Sequence, residues 1–403
     1  MMKHILYIVC LCLSFFYLSC SESASDLSVD KEIGYCRSQA LKTLASIPSA
    51  DSIPNSIDKD AGCWRYTSAG SWTCGFWPGI LWYIYEASHD STFMDAAEQV
   101  TDVILPKAYQ KARSHDMGFM MMPSVGHAYR LTGNEKYKEA LLSAADSLAV
   151  LYNPRVGTIL SWPGMVRREN WPHNTIIDNM MNLELLFWAA RHGGSRHLYD
   201  VAYQHARTTM EHHFRPDHSC YHVAVYDTID GHFIKGVTHQ GLSDESMWAR
   251  GQAWAIYGFT VAYRETQQRD FLEVACQAAD TFLSRLPADM IPYWDFDDTS
   301  THPVPPRDAS AAAVTASVLL ELSQYAGADR GREYYAKAID LLKRLSSSDY
   351  QARSACPAFL LHSVGHKPRG TEVDSSISYA DYYYLEALLR LKTLQQGDRI
   401  NGF

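Results

Sequence analysis

The chain has 403 residues, of which 47% are hydrophobic and 12% aromatic, and its formal net charge is −9. This much apolar material is enough for a large buried core. The acidic balance excludes a broad basic surface of the kind that binds nucleic acid, so an acidic ligand would need a local cationic pocket. No linker-like or low-complexity tract interrupts the chain after its first thirty residues, which predicts one large domain.

The N-terminus has the features of an export signal. Lys3 and His4 precede an apolar run over residues 5–18, which ends at Ser19 and Cys20. A run this short after a basic start is typical of a signal peptide rather than a membrane span. Ser19 before Cys20 fits lipoprotein processing, which would place a lipid anchor on Cys20. An ordinary secretory signal is the alternative.

These features predict the organisation of the whole chain. We expect a signal peptide over residues 1–20, a flexible tether over residues 21–30 and a single folded domain over residues 31–403. The protein would be exported, either to the periplasm or to the outer membrane of a Gram-negative bacterium. It would touch a membrane only through the lipid on Cys20.

The cysteines outside the signal show no metal-ligand spacing, so the sequence predicts neither a metal site nor a cofactor. Most of them fit small buried apolar positions. Cys63 and Cys74 could pair in an oxidising compartment, and the sequence leaves this open.

One junction recurs along the chain. A long apolar helix ends, a short polar turn follows, and an aromatic residue opens an Ala-rich helix; the aromatic residues are Phe93, Tyr137, Tyr199, Phe271 and Tyr335. Self-similarity at this interval indicates a repeat architecture. With further helices predicted over residues 30–47 and 377–394, the pattern predicts an all-α fold of six helical hairpins, an (α/α)6 toroid or barrel. An open helical solenoid is the alternative, and strand-like alternation is confined to short pieces such as residues 221–226.

Residues that carry chemistry collect at the starts of the predicted inner helices. Because all inner helices of a hairpin ring run the same way, these side chains should converge at one mouth. They are Trp72, Phe76, His115, Asp116, Asp178, Trp248, Arg250, Trp254, Arg307, Asp308, Asp374 and Ser375. Asp is also a preferred N-cap residue, and this structural role competes with a functional one, above all for Asp308 and Asp374.

Asp116 and Asp178 are the candidate acid–base pair. Asp178 stands in the apolar run IIDNMMN, where a carboxylate is costly unless it has a partner or a function. Burial and a neighbouring negative charge both raise the pKa of a carboxyl group, whereas a helix N-terminus lowers it. A buried Asp178 beside an ionised Asp116 would therefore hold a proton near neutral pH.

Other residues at this mouth suit a sugar ligand. Trp72, Trp162, Trp248 and Trp254 offer flat apolar faces, although core packing is the alternative for each of them. Arg250 lies in the apolar segment WARGQAW and needs an anionic partner, which is either a protein carboxylate or a substrate carboxylate. The loop over residues 362–370 precedes the last inner helix and could meet a sulfate or a second sugar, or be a solvated loop; its candidate residues are His362, Ser363, His366, Lys367 and Arg369.

Several segments together resemble the unsaturated glucuronyl hydrolases of glycoside hydrolase family 88. They include TCGFWPGILWYIYE (73–86), SHDMGFM (114–120), GTILSW (157–162), IIDNMMNLELLFWA (176–189), THQGLSDESMWARGQAWAIYGF (238–259) and GHKPRGTEVDSSISYADYYYLEALL (365–389). The resemblance implies an (α/α)6 barrel. It also implies a reaction in which the enzyme hydrates the C4=C5 double bond that a polysaccharide lyase leaves on a uronic acid. The substrates would be unsaturated glycosaminoglycan di- or oligosaccharides.

The same resemblance implies roles for individual residues. Asp178 would protonate C4 and then accept a proton from water, while Asp116 would bind sugar hydroxyls and keep Asp178 protonated. The substrate-binding residues would be Trp72, Trp162, His222, His239, Gln240, Arg250 and Trp254, with Gln240 helping to place water.

Three alternatives remain at this stage. The first is an unsaturated rhamnogalacturonyl hydrolase of family 105, which would act on pectin fragments by the same mechanism. The second is a non-catalytic sugar-binding toroid. The third is an epimerase or other isomerase on a similar barrel, for which His115, His222 and His239 would be the candidate histidines.

Overall fold

The structure is a computed structural model of the chain, and it describes residues 27–403. The predicted signal peptide and the anchor at Cys20 lie outside these residues. The first helix begins at Val29, two residues before the predicted start of the folded domain. Val29 is buried in the core, and Asp30 stands in the first turn, where a negative charge interacts favourably with the helix dipole.

The described residues form fourteen α-helices. They are α1 (Val29–Ser46), α2 (Phe76–Ser88), α3 (Ser91–Ile104), α4 (Met117–Met121), α5 (His127–Thr132), α6 (Glu135–Ala149), α7 (Met165–Arg168), α8 (Leu183–Arg191), α9 (Arg196–His212), α10 (Ala249–Thr266), α11 (Arg269–Ser284), α12 (Ala309–Leu322), α13 (Ala328–Leu345) and α14 (Ser378–Gln395).

Thirteen of these helices make a closed double ring of six inner and six outer segments, with α4 and α5 counted as one segment. The inner layer consists of α2, α4 with α5, α8, α10, α12 and α14, and the outer layer of α1, α3, α6, α9, α11 and α13. The last inner helix, α14, packs against both α12 and the first inner helix, α2, so the ring closes. The prediction of an (α/α)6 barrel is confirmed, and the open solenoid is excluded.

The two layers differ in sequence because they differ in burial. Every residue of α12 is buried, and its Ala-rich surface lets α10, α13 and α14 approach it on several sides. The outer helix α13 instead buries one stripe, which includes Tyr334, Ala338, Leu341 and Leu345, and exposes its charged face.

Two inner segments are irregular at the end that carries the candidate residues. The second inner segment runs from α4 through one π-helical turn (Met122–Gly126) into α5, and the third begins with a 3-10 helix (Ile177–Asn182) before α8. These two segments meet at Gly118, where a Cβ atom would lie 2.5 Å from the Cα of Asn182. Only glycine permits this approach, which brings the start of α4 next to the start of the 3-10 helix.

Nine short strands form three antiparallel sheets around the same mouth. They are β1 (Ile53–Ile57), β2 (Arg65–Thr67), β3 (Tyr152–Asn153), β4 (Thr158–Ile159), β5 (His173–Ile176), β6 (Val223–Tyr226), β7 (Phe233–Val237), β8 (Ser363–His366) and β9 (Thr371–Ile377). The strand orders are β2-β1-β9-β8, β3-β4 and β5-β6-β7. Strand β5 leads directly into the 3-10 helix, and β9 leads directly into α14, so these sheets hold the N-terminal ends of inner helices. The sequence predicted only the piece that contains β6.

All six cysteines of the described residues are free. Cys63 is exposed and Cys74 is buried, and no disulfide joins them. Within residues 27–403, none of the helices combines the length and the apolar composition that crossing a bilayer requires.

Candidate active site

Asp178 is the second residue of the 3-10 helix that follows β5. Its side chain is only 12% exposed, and its Oδ2 atom has no hydrogen-bond partner among the described residues. Burial raises the pKa of Asp178 from its usual 3.8 to about 6, against the lowering effects of the charges of His115 and Arg250. The negative charge of Asp116 acts in the same direction as burial. Asp178 is therefore a carboxyl group that can both hold and release a proton near neutral pH.

His222 lies beside Asp178, immediately before β6. Its Nε2 atom is 3.6 Å from Asp178 Oδ2, and its Nδ1 atom accepts hydrogen bonds of 3.1 Å from the backbone N–H groups of His239 and Gln240. Burial lowers the pKa of His222 well below its usual value. A neutral ring that accepts at Nδ1 carries its proton on Nε2, so a N–H group faces the carboxylate.

Asp116 immediately precedes α4. Its Oδ2 atom accepts a 2.6 Å hydrogen bond from Ser114 Oγ, and its Oδ1 atom is 3.2 Å from Nε2 of the buried His115. The Nδ1 atom of His115 faces the carbonyl of Ser161 at 3.2 Å. Gly118, two residues after Asp116, packs against Asn182 of the 3-10 helix that carries Asp178, and the charge of Asp116 acts on Asp178.

A cavity of about 490 Å³ opens at this mouth. The predicted residues that line it are Trp72, Trp162, His239, Gln240, Arg250 and His366. The two carboxylates lie next to its wall rather than in it, because their neighbours His115 and His222 both pack against the ring of Trp162, with centroids 6.2 and 5.7 Å apart.

Arg250 has the anionic partner that the sequence required, and it is a protein carboxylate. Its guanidinium lies 3.3 Å from Asp308 Oδ2, donates a 2.7 Å hydrogen bond to the Gly365 carbonyl and also bonds the Val364 carbonyl. Asp308 also caps α12 by accepting from Ser310 N, so the capping role and the ion pair coexist. Arg250 thereby ties α10 and α12 to strand β8.

The four candidate tryptophans separate into two groups. Trp72 and Trp162 are partly exposed and line the cavity. Trp248 is buried against the His222 ring at 4.6 Å, and Trp254 is fully buried against Phe119. Trp248 and Trp254 thus lie outside the cavity wall, where core packing accounts for their positions.

The structure places several other candidates away from the cavity. Ser363 is fully buried in β8, and the ammonium group of Lys367 lies 5.9 Å above the Trp294 ring, because the chain turns there into a 3-10 helix (Lys367–Arg369). Asp374 lies in β9 and pairs with Lys59 and His362, while Arg307 pairs with Asp289 at 3.0 Å. These positions do not line the site.

Sequence reasoning missed several residues of the cavity wall. They are Arg113, Pro163, Gly164, Met165, Arg168, Gly365, Thr371, Glu372 and Tyr379, whereas Arg369 of the predicted loop does line the cavity. Arg113 and Tyr379 stand within a few residues of predicted positions, so proximity to Asp116 and Ser375 was an available signal. Arg168 lies in the short helix α7, which has no sequence pattern of its own.

One cluster of metal-ligand types occurs among the described residues, outside this cavity. Asp227, Asp230 and His232 lie in the β6–β7 hairpin, and local hydrogen bonds to Ile229 N and between Asp230 and His232 account for their arrangement. The cavity itself brings together no such trio of described residues.

Comparison with known proteins places this site in a family. The model of Glycosyl Hydrolase Family 88 matches residues 50–349. An unsaturated glucuronyl hydrolase of Formosa agariphila is 38% identical, with 98% of this chain and 99% of that protein covered.

Solved structures agree with this match. The crystal structure of an unsaturated glucuronyl hydrolase specific for heparin has a TM-score of 0.86 at 41% identity, with 91% of this chain and 98% of that chain covered. The enzyme of Bacillus sp. GL1, described as responsible for the degradation of glycosaminoglycan, has a TM-score of 0.85 at 32% identity, with 92% and 97% covered. The family match and the near full-length relatives lead to one conclusion: this chain belongs to glycoside hydrolase family 88.

Proposed function

We propose that this protein is an unsaturated glucuronyl hydrolase. It removes the 4,5-unsaturated glucuronic acid from the non-reducing end of glycosaminoglycan oligosaccharides that a lyase has produced. The observation that carries this proposal is one buried carboxyl group, Asp178, whose pKa is raised to about 6 beside an aromatic and cationic cavity. A proton donor with this pKa suits addition to a carbon–carbon double bond near neutral pH.

The reaction proceeds by hydration of the C4=C5 bond. The carboxyl group of Asp178 donates its proton to C4, and the positive charge that develops at C5 is shared with the ring oxygen. Water attacks C5 and gives a proton to the Asp178 carboxylate, which restores the acid. The resulting hemiketal opens to a ketone at C5, and the hemiacetal left at C1 releases the next sugar. One carboxyl group therefore serves as acid and then as base.

Neighbouring side chains support these steps. The N–H group of His222 faces the Asp178 carboxylate, and it stabilises the anion that exists after C4 has been protonated. Gln240 donates to the Gly365 carbonyl through Nε2 at 3.1 Å, which leaves its Oε1 atom free to accept from water or a sugar hydroxyl. Trp72 and Trp162 offer ring faces to the pyranose.

The charge of the cavity favours an acidic sugar. Arg113, Arg168 and Arg369 line it, whereas the only carboxylate among its lining residues is that of Glu372. A local excess of positive charge in a protein of net charge −9 attracts anionic ligands. The relatives named for glucuronyl and glycosaminoglycan substrates favour these sugars over pectin fragments.

A substrate panel tests this proposal. Purified protein is given unsaturated disaccharides derived from chondroitin, hyaluronan, heparin and rhamnogalacturonan, and loss of the ultraviolet absorbance of the double bond is followed. We expect turnover of at least one glycosaminoglycan disaccharide and none of the rhamnogalacturonan disaccharide. Turnover of the rhamnogalacturonan disaccharide alone would show that the protein acts on pectin fragments. The absence of any turnover would favour a sugar-binding protein.

A sulfur-linked disaccharide separates hydration from direct displacement. Because hydration attacks C4 and C5, the double bond should still be lost when sulfur replaces the glycosidic oxygen. An enzyme that protonates the glycosidic oxygen directly would leave such a substrate intact.

Export and lipidation form a second, separate proposal. The basic start, the apolar run over residues 5–18 and Cys20 support a lipid-anchored protein in the periplasm or on the outer membrane. Metabolic labelling with a palmitate analogue should label the wild-type protein and not Cys20→Ser. Equal labelling of the two proteins, or labelling of neither, would contradict the proposed lipid anchor on Cys20.

A further inference from the structure

The loop over residues 238–246 carries two cavity residues but belongs to no helix or strand. It lies between β7 and α10 and presents His239 and Gln240 to the cavity. Residues 242–245 are exposed, and only Gly241 and Ser246 of the loop are buried. A loop with so few buried residues needs specific hydrogen bonds to keep one conformation.

Asp295 supplies such hydrogen bonds from outside the cavity. It stands between α11 and α12 and is fully buried. Its Oδ2 atom accepts a 2.9 Å hydrogen bond from the backbone N–H of Leu242 and a 2.8 Å hydrogen bond from the hydroxyl of Ser246. Its Oδ1 atom accepts from the N–H of Asp297 at 3.0 Å. One carboxylate therefore joins the loop to the segment that precedes α12.

The carboxylate of Asp295 is held by hydrogen bonds rather than by a cation. The guanidinium of Arg285 bonds the carbonyl of the next residue, Phe296, but pairs with Asp297 at 2.6 Å. Burial raises the pKa of Asp295, whereas the hydrogen bonds from Leu242, Asp297 and Ser246 lower it. Because a buried carboxylate is costly, its bonds to the loop call for a functional explanation.

Gly241 fits the loop onto this carboxylate. A Cβ atom on Gly241 would lie 2.7 Å from Thr238 Oγ1 and 3.1 Å from Asp295 Oδ2. The N–H of Gly241 donates to Thr238 Oγ1 at 2.8 Å, and the N–H of Thr238 donates to Asp244 at 2.8 Å. A side chain at this position would displace Thr238, so glycine allows the loop to turn directly after Gln240.

The loop backbone in turn determines where His222 carries its proton. Two consecutive N–H groups, those of His239 and Gln240, converge on His222 Nδ1 at 3.1 Å. Since the neutral ring has one N–H proton, these donors place it on Nε2, which is 3.6 Å from Asp178 Oδ2. The backbone N–H that Asp295 holds belongs to the second residue after Gln240.

We infer that Asp295 is a positioning residue for the proposed reaction. It holds the loop over residues 238–246, so that the backbone of this loop fixes the tautomer of His222 and the side chain of Gln240 stays in the cavity. A carboxylate that does not touch the substrate thereby orients the N–H group that stabilises ionised Asp178. The inference rests on the proposed function and adds to it a residue outside the cavity wall.

Asp295→Asn tests this role with a side chain of the same shape. Both oxygens of the carboxylate accept a backbone N–H, so an amide must turn its NH2 group towards the N–H of Leu242 or of Asp297. Two donors then face each other, and the loop loses its fixed position. We expect kcat for an unsaturated disaccharide to fall by at least about tenfold. Ser246→Ala removes only the hydroxyl and should lower kcat by about threefold.

Asp381→Asn is the matched control. Asp381 is also buried, and its two oxygens also accept backbone N–H groups, from Phe359 at 2.8 Å and from Leu360 at 2.9 Å. It lies on α14, so its variant loses comparable hydrogen bonds in another part of the fold. We expect its kcat to stay within about threefold of the wild-type value. An equal loss of kcat in Asp295→Asn and Asp381→Asn would overturn the positioning role.

Nitrogen NMR of protein with isotopically labelled histidine measures the tautomer and needs no turnover. The signals of His222 are assigned by their absence from His222→Ala. Near neutral pH we expect Nε2 protonation in the wild type and in Asp381→Asn, and a mixture of Nε2 and Nδ1 protonation in Asp295→Asn. An unchanged tautomer in Asp295→Asn would contradict the inference. A changed tautomer in a protein that hydrolyses nothing would support it and contradict only the proposed function.

Discussion

The Nε2 atom of His222 lies 3.6 Å from Oδ2 of Asp178, and the backbone determines which proton it presents. The N–H groups of His239 and Gln240 both bond His222 Nδ1, so the remaining ring proton of the neutral imidazole is on Nε2. The residue before strand β6 thus presents a N–H group to a carboxylate in the 3-10 helix that follows strand β5. The same two hydrogen bonds hold the backbone of His239 and Gln240, whose side chains line the cavity.

This relationship predicts the effect of removing the imidazole. His222→Ala should lower kcat/KM for an unsaturated disaccharide by about 10²-fold, because the carboxylate loses its neighbour and two backbone N–H groups lose their acceptor. The control is His213→Ala, since His213 is buried, is not part of the cavity wall, and its ring bonds the Thr175 carbonyl. A loss of activity that is equal in the two variants would show a structural effect alone.

The raised pKa of Asp178 predicts a gain in stability when its charge is removed. The folded protein holds the proton up to about pH 6, whereas the unfolded chain releases it near 3.8, so stability is lost as pH rises through this window. A shift of about two pH units corresponds to about 3 kcal/mol. Asp178→Asn should therefore be more stable than the wild type above pH 6, and the difference should vanish at pH 3.5.

Thermal unfolding of both proteins across this pH range checks the prediction. Asp381, whose pKa burial raises to about 8, is present in both proteins, so its contribution cancels from the comparison. A variant that is less stable than the wild type at every pH would contradict the burial argument.

Trp162 should control the pH dependence of catalysis. The wild-type kcat/KM should fall as pH rises above about 6, because the acid form of Asp178 is consumed. Trp162→Ala should admit water beside His115 and His222 and so reduce the desolvation of Asp178. The fall in kcat/KM should then occur at a lower pH than in the wild type. Trp162→Phe keeps an aromatic cover and should move it less. Identical pH profiles in all three proteins would show that Trp162 does not shield the carboxyl group.

The buried ion pair between Arg250 and Asp308 should be required for stability. Arg250→Met leaves the Asp308 carboxylate buried without its cation, which should lower the free energy of unfolding by about 3–5 kcal/mol. Adding Asp308→Asn removes that charge and keeps an N-cap for α12, so the double variant should regain part of the loss. Chemical denaturation of the wild type, the two single variants and the double variant measures the free energy of unfolding of each. If the losses of the two single variants simply add in the double variant, the two residues are not coupled.

The sequence predicted the ring because its periodicity is local. The aromatic residues near the starts of five outer helices and the apolar inner helices follow from burial on one face or on all faces, which a single sequence displays. Asp116 and Asp178 were found in the same way, since the common direction of the inner helices brings their N-termini to one mouth. The strands were missed because all but β9 are two to five residues long, and because β1 pairs with the distant β9 and β5 with the distant β6.

The same limit explains the misplaced and missing site residues. Ser363 and Lys367 are close to His366 in sequence, but the change from strand to 3-10 helix turns Lys367 towards Trp294. Arg168 enters the cavity from a four-residue helix whose position depends on packing against β5. Side-chain direction at such junctions is determined by tertiary contacts that no local pattern records.

The kcat/KM of Asp178→Asn for a glycosaminoglycan-derived unsaturated disaccharide tests the central claim most directly. Asparagine keeps the size of the side chain but cannot donate the proton to C4, so we expect a loss of at least about 10³-fold. Calorimetry with the same disaccharide should show that the variant still binds. A variant that hydrates the double bond within tenfold of the wild-type rate would show that another group supplies the proton.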